Sequence, residues 1–109
     1  MRTVQGPTQR LSVHISEKDQ YEGQALFEVI LTAARKADLA GVTVLRGLYS
    51  YGRDKVLHSM GILRISEDLP LLIQIIDSKP NIEQFLPKLQ EVAPDALMLL
   101  EDVTIVNPR

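Results

Sequence analysis

Leu69-Pro70-Leu71-Leu72-Ile73-Gln74-Ile75-Ile76, followed by Asp77-Ser78-Lys79-Pro80-Asn81 and then Ile82, Phe85, Leu86, Leu89 and Val92, decides how this chain folds. The first stretch is too β-branched and too nearly continuous in apolar character for a surface helix, and it predicts a strand buried on both sides. Pro70 lacks an N–H for a ladder bond, so it marks a bend or strand start near Ser66 to Pro70, with Gly61-Ile62-Leu63-Arg64-Ile65 as an earlier part of the same bent strand. Pro80 suits the first turn of a helix, and the i, i+3, i+4, i+7 stripe from Ile82 to Val92 gives that helix its buried face. Pro87 lies inside the stripe. It removes one backbone bond and predicts a kink, unless the first turn starts nearer Glu83.

Working toward the N-terminus, Val42-Thr43-Val44-Leu45 predicts a second strand, leading through Arg46-Gly47-Leu48-Tyr49 into the exposed loop Ser50-Tyr51-Gly52-Arg53-Asp54-Lys55. Before it, Leu26, Phe27, Ile30, Ala33, Ala34 and Ala37 recur at helical spacing. Asp19 and Glu22 are spaced as a capping box, Gly23 delays the start to about Gln24, and Gly41 supplies a C-terminal glycine. Leu11, Val13 and Ile15 alternate with Ser12, His14 and Ser16 as a half-buried first strand, and residues 1–8, with Gly6-Pro7, form a loose, flexible lead-in. Toward the C-terminus, Pro94-Asp95 ends the second helix and Leu97 to Val106 reads as the last strand. The order strand, helix, strand, strand, helix, strand is the split βαβ plan. The expected class is α+β and ferredoxin-like, with a four-stranded antiparallel sheet and two helices on one face, as a single domain over residues 9–109.

Two helices cover one face of such a sheet, yet three of the strands read as apolar on both sides. The uncovered face calls for a partner, and another copy of the same chain is the economical one.

Composition narrows the chemistry. A chain of 109 residues with 45% hydrophobic and 24% charged residues has room for one core, burying roughly 65% of its unfolded surface. Twelve Lys and Arg against fourteen Asp and Glu give a net charge of −2, which makes nucleic acid and anionic membrane surfaces poor partners. The absence of cysteine removes disulfides, thiolate metal sites and thiol catalysis. The opening residues carry no apolar signal core and no run approaches the ~20 apolar residues of a membrane span, so the expectation is a cytoplasmic protein without membrane insertion.

The stretch Gly41-Val42-Thr43-Val44-Leu45-Arg46-Gly47, then Tyr51-Gly52-Arg53, His58, Ile65-Ser66-Glu67-Asp68-Leu69-Pro70, Leu86-Pro87 and Leu100-Glu101-Asp102-Val103 resembles domain of unknown function 190, from about Arg10 to Val106. That family is grouped with the PII-like (GlnB-like) signalling proteins. The resemblance implies a homotrimer that senses a small ligand, often an adenine nucleotide, in clefts between subunits and signals to a protein partner such as a transporter or metabolic enzyme, with no enzymatic activity. By the same resemblance Thr43, Gly47, Gly52 and Arg53 fall at the base of a ligand-binding loop. Gly52 lets backbone approach a ligand, while Arg53 and Lys55 offer charge-assisted donors for phosphate or carboxylate. The loop to about Ser59 is shorter than the PII signalling loop, and Asp77 to Asn81 lacks the glycines that cradle phosphates there.

Each candidate has a plainer use. His58 could touch a ligand or be satisfied by backbone; Tyr49 and Tyr51 could form a stacking platform or pack between subunits. Arg46, in an otherwise apolar strand, needs either a carboxylate from a neighbouring subunit or a bound anion. His14 could meet its symmetry mates at a metal, the basis of an alternative in which the chain is a structural or metal-handling trimer related to copper-tolerance proteins. Glu67-Asp68 and Glu101-Asp102 cannot act as acid and base on one substrate, because strand neighbours point to opposite faces. An acylphosphatase-like hydrolase would need an arginine in the acidic turn Glu17 to Gly23, and an RNA-binding module would need aromatic and basic residues on the central strands; both are missing.

Overall fold

The computed structural model describes residues 4–47, 49, 50, 58, 59 and 69–107. Four long strands, β1 (Thr8–Ser16), β2 (Gly41–Arg46), β3 (Pro70–Ser78) and β4 (Leu97–Val103), and two helices, α1 (Leu26–Lys36) and α2 (Lys79–Val92), follow one another in the order β1-α1-β2-β3-α2-β4. The sheet order is β2-β3-β1-β4 and every neighbouring pair is antiparallel, which is the ferredoxin-like arrangement expected from the sequence.

The alternation along β3 fixes the two faces. Leu71, Ile73, Ile75 and Asp77 are buried, while the residues between them are half-buried. Leu11, Val13 and Ile15 share the buried side with them, since Leu11 stands opposite Ile75 and Val13 opposite Ile73. Onto this side pack Leu26, Ile30 and Ala34 of α1 and Ile82, Phe85, Leu89 and Val92 of α2, closing one hydrophobic core. The other side carries, in one row, Leu45, Leu72, His14 and Leu97, and in the next Thr43, Gln74, Ser12 and Leu99.

The connections differ from expectation in instructive ways. No capping box forms at α1: Ala25 is the N-cap without a side-chain bond. Asp19 instead closes the turn after β1, its carboxylate accepting from Ser16 N at 2.9 Å and its carbonyl from Leu26 N at 2.8 Å. Glu22 and Gly23, with φ of 50° and 81°, form the two-residue loop of a short hairpin that pairs Gln20 with Ala25 and Tyr21 with Gln24. A positive φ at both loop positions suits the twist of a hairpin, so the glycine serves this turn rather than the helix start. At the far end of α1 the left-handed residue is Asp38, φ 56°, and Gly41 opens β2 instead.

At α2 the expectation of Pro80 in the first turn holds, with Ser78 as N-cap accepting from Asn81 N. The helix begins at Lys79, so Pro87 lies in its interior and the alternative start near Glu83 is not taken. β1 begins at Thr8, and Lys79 N donates to Pro7 O at 2.9 Å, tying the end of the lead-in to the start of α2. β4 ends at Val103, short of Val106. The segment Gly61 to Ile65, expected as the first half of the bent strand, lies outside the described residues, as do Tyr51, Gly52, Arg53 and Lys55.

Candidate functional site

One end of the sheet gathers the C-terminal ends of β1 and β2 and the start of β3, because β1 and β2 both pair antiparallel with β3. Backbone bonds lock the three together. Glu17 N donates to Leu69 O at 2.8 Å, and Gly47 N donates to Pro70 O at the same distance. A Cβ built on Gly47 would stand 3.0 Å from Pro70 Cγ, so glycine is the residue that allows this approach without displacing the proline ring.

Arg46 reaches across this end to the Glu17 carboxylate, an ion pair in which the arginine is 60% exposed and the glutamate 22%. Sequence reasoning asked for a neighbouring subunit's carboxylate or a bound anion to satisfy Arg46; a carboxylate of its own chain does so. The signal that was missed is Glu17 itself, just past the end of β1, which lies two strands from β2 but is brought back over it by the turn held by Asp19. Since Arg46 keeps much of its guanidinium in water, the pair contributes little to stability and leaves Arg46 able to exchange partners.

Thr43 and Arg46 do not converge. They are three residues apart on β2, so Thr43 shares the open face with Leu45 while Arg46 is on the helix-side parity with Val44. Thr43 stands opposite Gln74 and is exposed. His58 enters a two-residue ladder with Ser50. His14 is exposed on β1 between Leu72 and Leu97. Glu101 and Asp102 do point to opposite faces: Glu101 holds Arg10 at 2.9 Å on the open face, and Asp102 accepts from Gln9 Nε2 at 3.2 Å on the other. Among the described residues no three His, Asp or Glu side chains are grouped to hold a metal ion. Among them, too, no helix is long and apolar enough to cross a membrane.

The sequence pattern of DUF190, described as an uncharacterized ACR family, matches residues 8–105, from the first residue of β1 to just past β4. The chain belongs to the DUF190 family. Two relatives illustrate the breadth of this DUF190 kinship. A UPF0166 protein of Aquifex aeolicus is 29% identical over 96 residues, covering 88% of this chain and 90% of that one. A UPF0166 protein of Methanocaldococcus jannaschii is 34% identical over 82 residues, 75% of each. Among solved structures, a PII-like signalling protein from Thermus thermophilus superposes with a TM-score of 0.65 at 17% identity, covering 92% of this chain and 90% of that one. CPII from Thiomonas intermedia, a nitrogen regulatory PII-like protein bound to ADP, AMP and bicarbonate, gives 0.63 at 15% identity, covering 94% and 91%. CutA1 from Pyrococcus horikoshii gives 0.56 at 13%, covering 91% and 86%. At these identities the likeness is one of fold, the ferredoxin-like fold that this chain shares with the PII-like proteins and CutA1.

Proposed function

We propose that this DUF190 chain is a non-enzymatic regulatory module of the cytoplasm: a homotrimer that takes a small ligand in the clefts between subunits and signals its occupancy to a protein partner. The observation that carries the proposal is the face of the sheet opposite the helices. Leu45, Leu97 and Leu99 are there 49%, 59% and 46% exposed, in adjoining rows with Leu72 between the first two. Three large leucines exposed on one sheet face, although His14 and Ser12 interrupt them, mark an association surface, and sister chains are the partner that one sequence supplies.

An adenine nucleotide is the first ligand to test, because CPII shares the fold and was solved with ADP and AMP. In this proposal Arg46, freed from Glu17, and Arg53 and Lys55 supply the anion contacts, with Gly47, Tyr51, Gly52 and His58 around them, while Thr43, which faces away from Arg46 on the same strand, would reach the ligand only from the open sheet face. Sedimentation velocity in dilute buffer, followed by calorimetry with ATP, ADP and AMP, tests the two halves separately. A single polypeptide of 12.2 kDa at equilibrium would sink the assembly, and a trimer that releases no heat with any nucleotide would sink the ligand.

The likeness to CutA1 keeps a metal-handling trimer as the second proposal, with His14 on the open face as its only histidine among residues whose side chains are described. Copper or zinc titration of the wild-type chain and of His14→Ala separates the two. Equal uptake by both proteins removes His14 from any metal role.

A further inference from the structure

The outer layer of the molecule, away from the open sheet face, holds a groove of about 780 Å³ between α1 and α2. It arises where Ala33 on α1 and Ala37, the residue that caps its C-terminus, present short side chains toward α2 and leave the space between the helices unfilled. Val29, Ala33 and Leu39 pack against the core from one side and remain half-exposed along the groove, and Tyr21 of the short hairpin closes one end. The bottom is thus apolar.

The rim is not. Lys36 on α1 and Lys88 on α2 stand on opposite walls, and Glu22 is the one carboxylate among the described lining residues. Two cations against one anion make the lining net positive on a chain whose formal charge is −2. Lys88 approaches Glu91 only at 3.6 Å, with both side chains half-exposed, a contact weak enough to yield to a better anion. Gln84, exposed on the α2 wall, adds an amide donor. The volume falls within the roughly 300–1,000 Å³ range of small-ligand sites.

We infer that this groove binds an amphipathic organic anion, an apolar chain or ring bearing a carboxylate or phosphate. The apolar body displaces water from the Val29, Ala33 and Leu39 surface, where contact releases the hydration of both partners. The head group takes charge-assisted hydrogen bonds from Lys36 and Lys88. The site is independent of the clefts in the proposed function: it belongs to the helix layer of one chain and stays open when the sheet face is covered.

The test is an amide ¹H–¹⁵N titration of the full chain with sodium octanoate, with octyl phosphate, and with octanol as the uncharged control. Saturable shifts confined to α1, α2 and the Tyr21 hairpin are expected, with either anion binding roughly tenfold more tightly than octanol, as loss of a charge-assisted contact implies. The ratio between the two anions assigns the head group. Lys36→Gln combined with Lys88→Gln should weaken the anions by about tenfold and leave octanol unchanged. Thr32→Trp, an exposed wall position filled by a large ring, should abolish binding of all three while the spectrum stays folded. Equal affinity for octanol and octanoate, shifts centred on the open sheet face, or no saturable shift would each overturn the inference.

Discussion

Asp77 is a fully buried carboxylate that accepts from Ala40 N at 2.9 Å, Ser78 N at 2.6 Å and Asn81 Nδ2 at 3.1 Å. It therefore joins the α1–β2 connection to the first turn of α2, two segments far apart in sequence. Replacing it with Ala leaves three partly buried donors without this acceptor, at a cost of up to about 1–3 kcal/mol for each such group. Asp77→Ala should lower stability by about 3 kcal/mol in urea denaturation. A change below about 0.5 kcal/mol would mean that water satisfies those donors. In the sequence Asp77 reads only as part of a polar turn, because nothing local reveals that Ala40 lies against it. Arg46 was conspicuous for the opposite reason, a charge in an apolar run, yet its partner Glu17 was equally hidden by a separation of 29 residues. Sequence marks a residue that needs a partner more readily than it names the partner.

At the scale of the element, α2 is the clearest case of pattern overriding propensity. Its buried stripe of Ile82, Phe85, Leu89 and Val92 holds fourteen residues in one helix although Pro87 sits inside it. Pro87 is exposed, so its ring faces water and the core does not have to accommodate it. The residual cost is the missing N–H and the crowding of the preceding turn. Pro87→Ala should therefore raise stability by about 1–2 kcal/mol, less than the ~3 kcal/mol proline penalty because proline also restricts the unfolded chain. Thermal unfolding of the pair checks this, and an unchanged or lower midpoint would show that the proline's restriction of the unfolded chain offsets the missing helix bond. The start of α1 shows the converse. Local spacing of Asp19 and Glu22 matched a capping box, but the chain first makes a hairpin through Glu22 and Gly23. Two legitimate local uses of the same residues competed, and the tertiary requirement to cross from β1 to the helix layer chose between them.

Across the whole molecule the two sides of the sheet have different fates. The helix side is a finished core, whereas the open side exposes Leu45, Leu97 and Leu99, with the Arg10–Glu101 pair in the row beyond Leu99. Leu97→Asp combined with Leu99→Asp places charges on that side without touching the core. The expected outcome is a folded monomer, with helical circular dichroism unchanged and the sedimentation coefficient reduced. An assembly of wild-type size would show that sister chains meet elsewhere. The groove between α1 and α2 belongs to the same scale, since hairpin and helix residues line it together and no one element contains it.

The amino-acid sequence by itself determined the element order, the sheet's composition and the buried stripes, because periodicities of two and 3.6 residues are local consequences of backbone geometry. It determined too that the helices would leave a sheet face bare. Only the tertiary structure decided that Asp77 ties two loops together, that Glu17 holds Arg46, that Thr43 and Arg46 face apart, and that alanines on α1 and at its C-cap leave a groove beside α2. Those are contacts between residues distant along the chain, and their geometry follows from how layers pack, which no single stretch of sequence encodes.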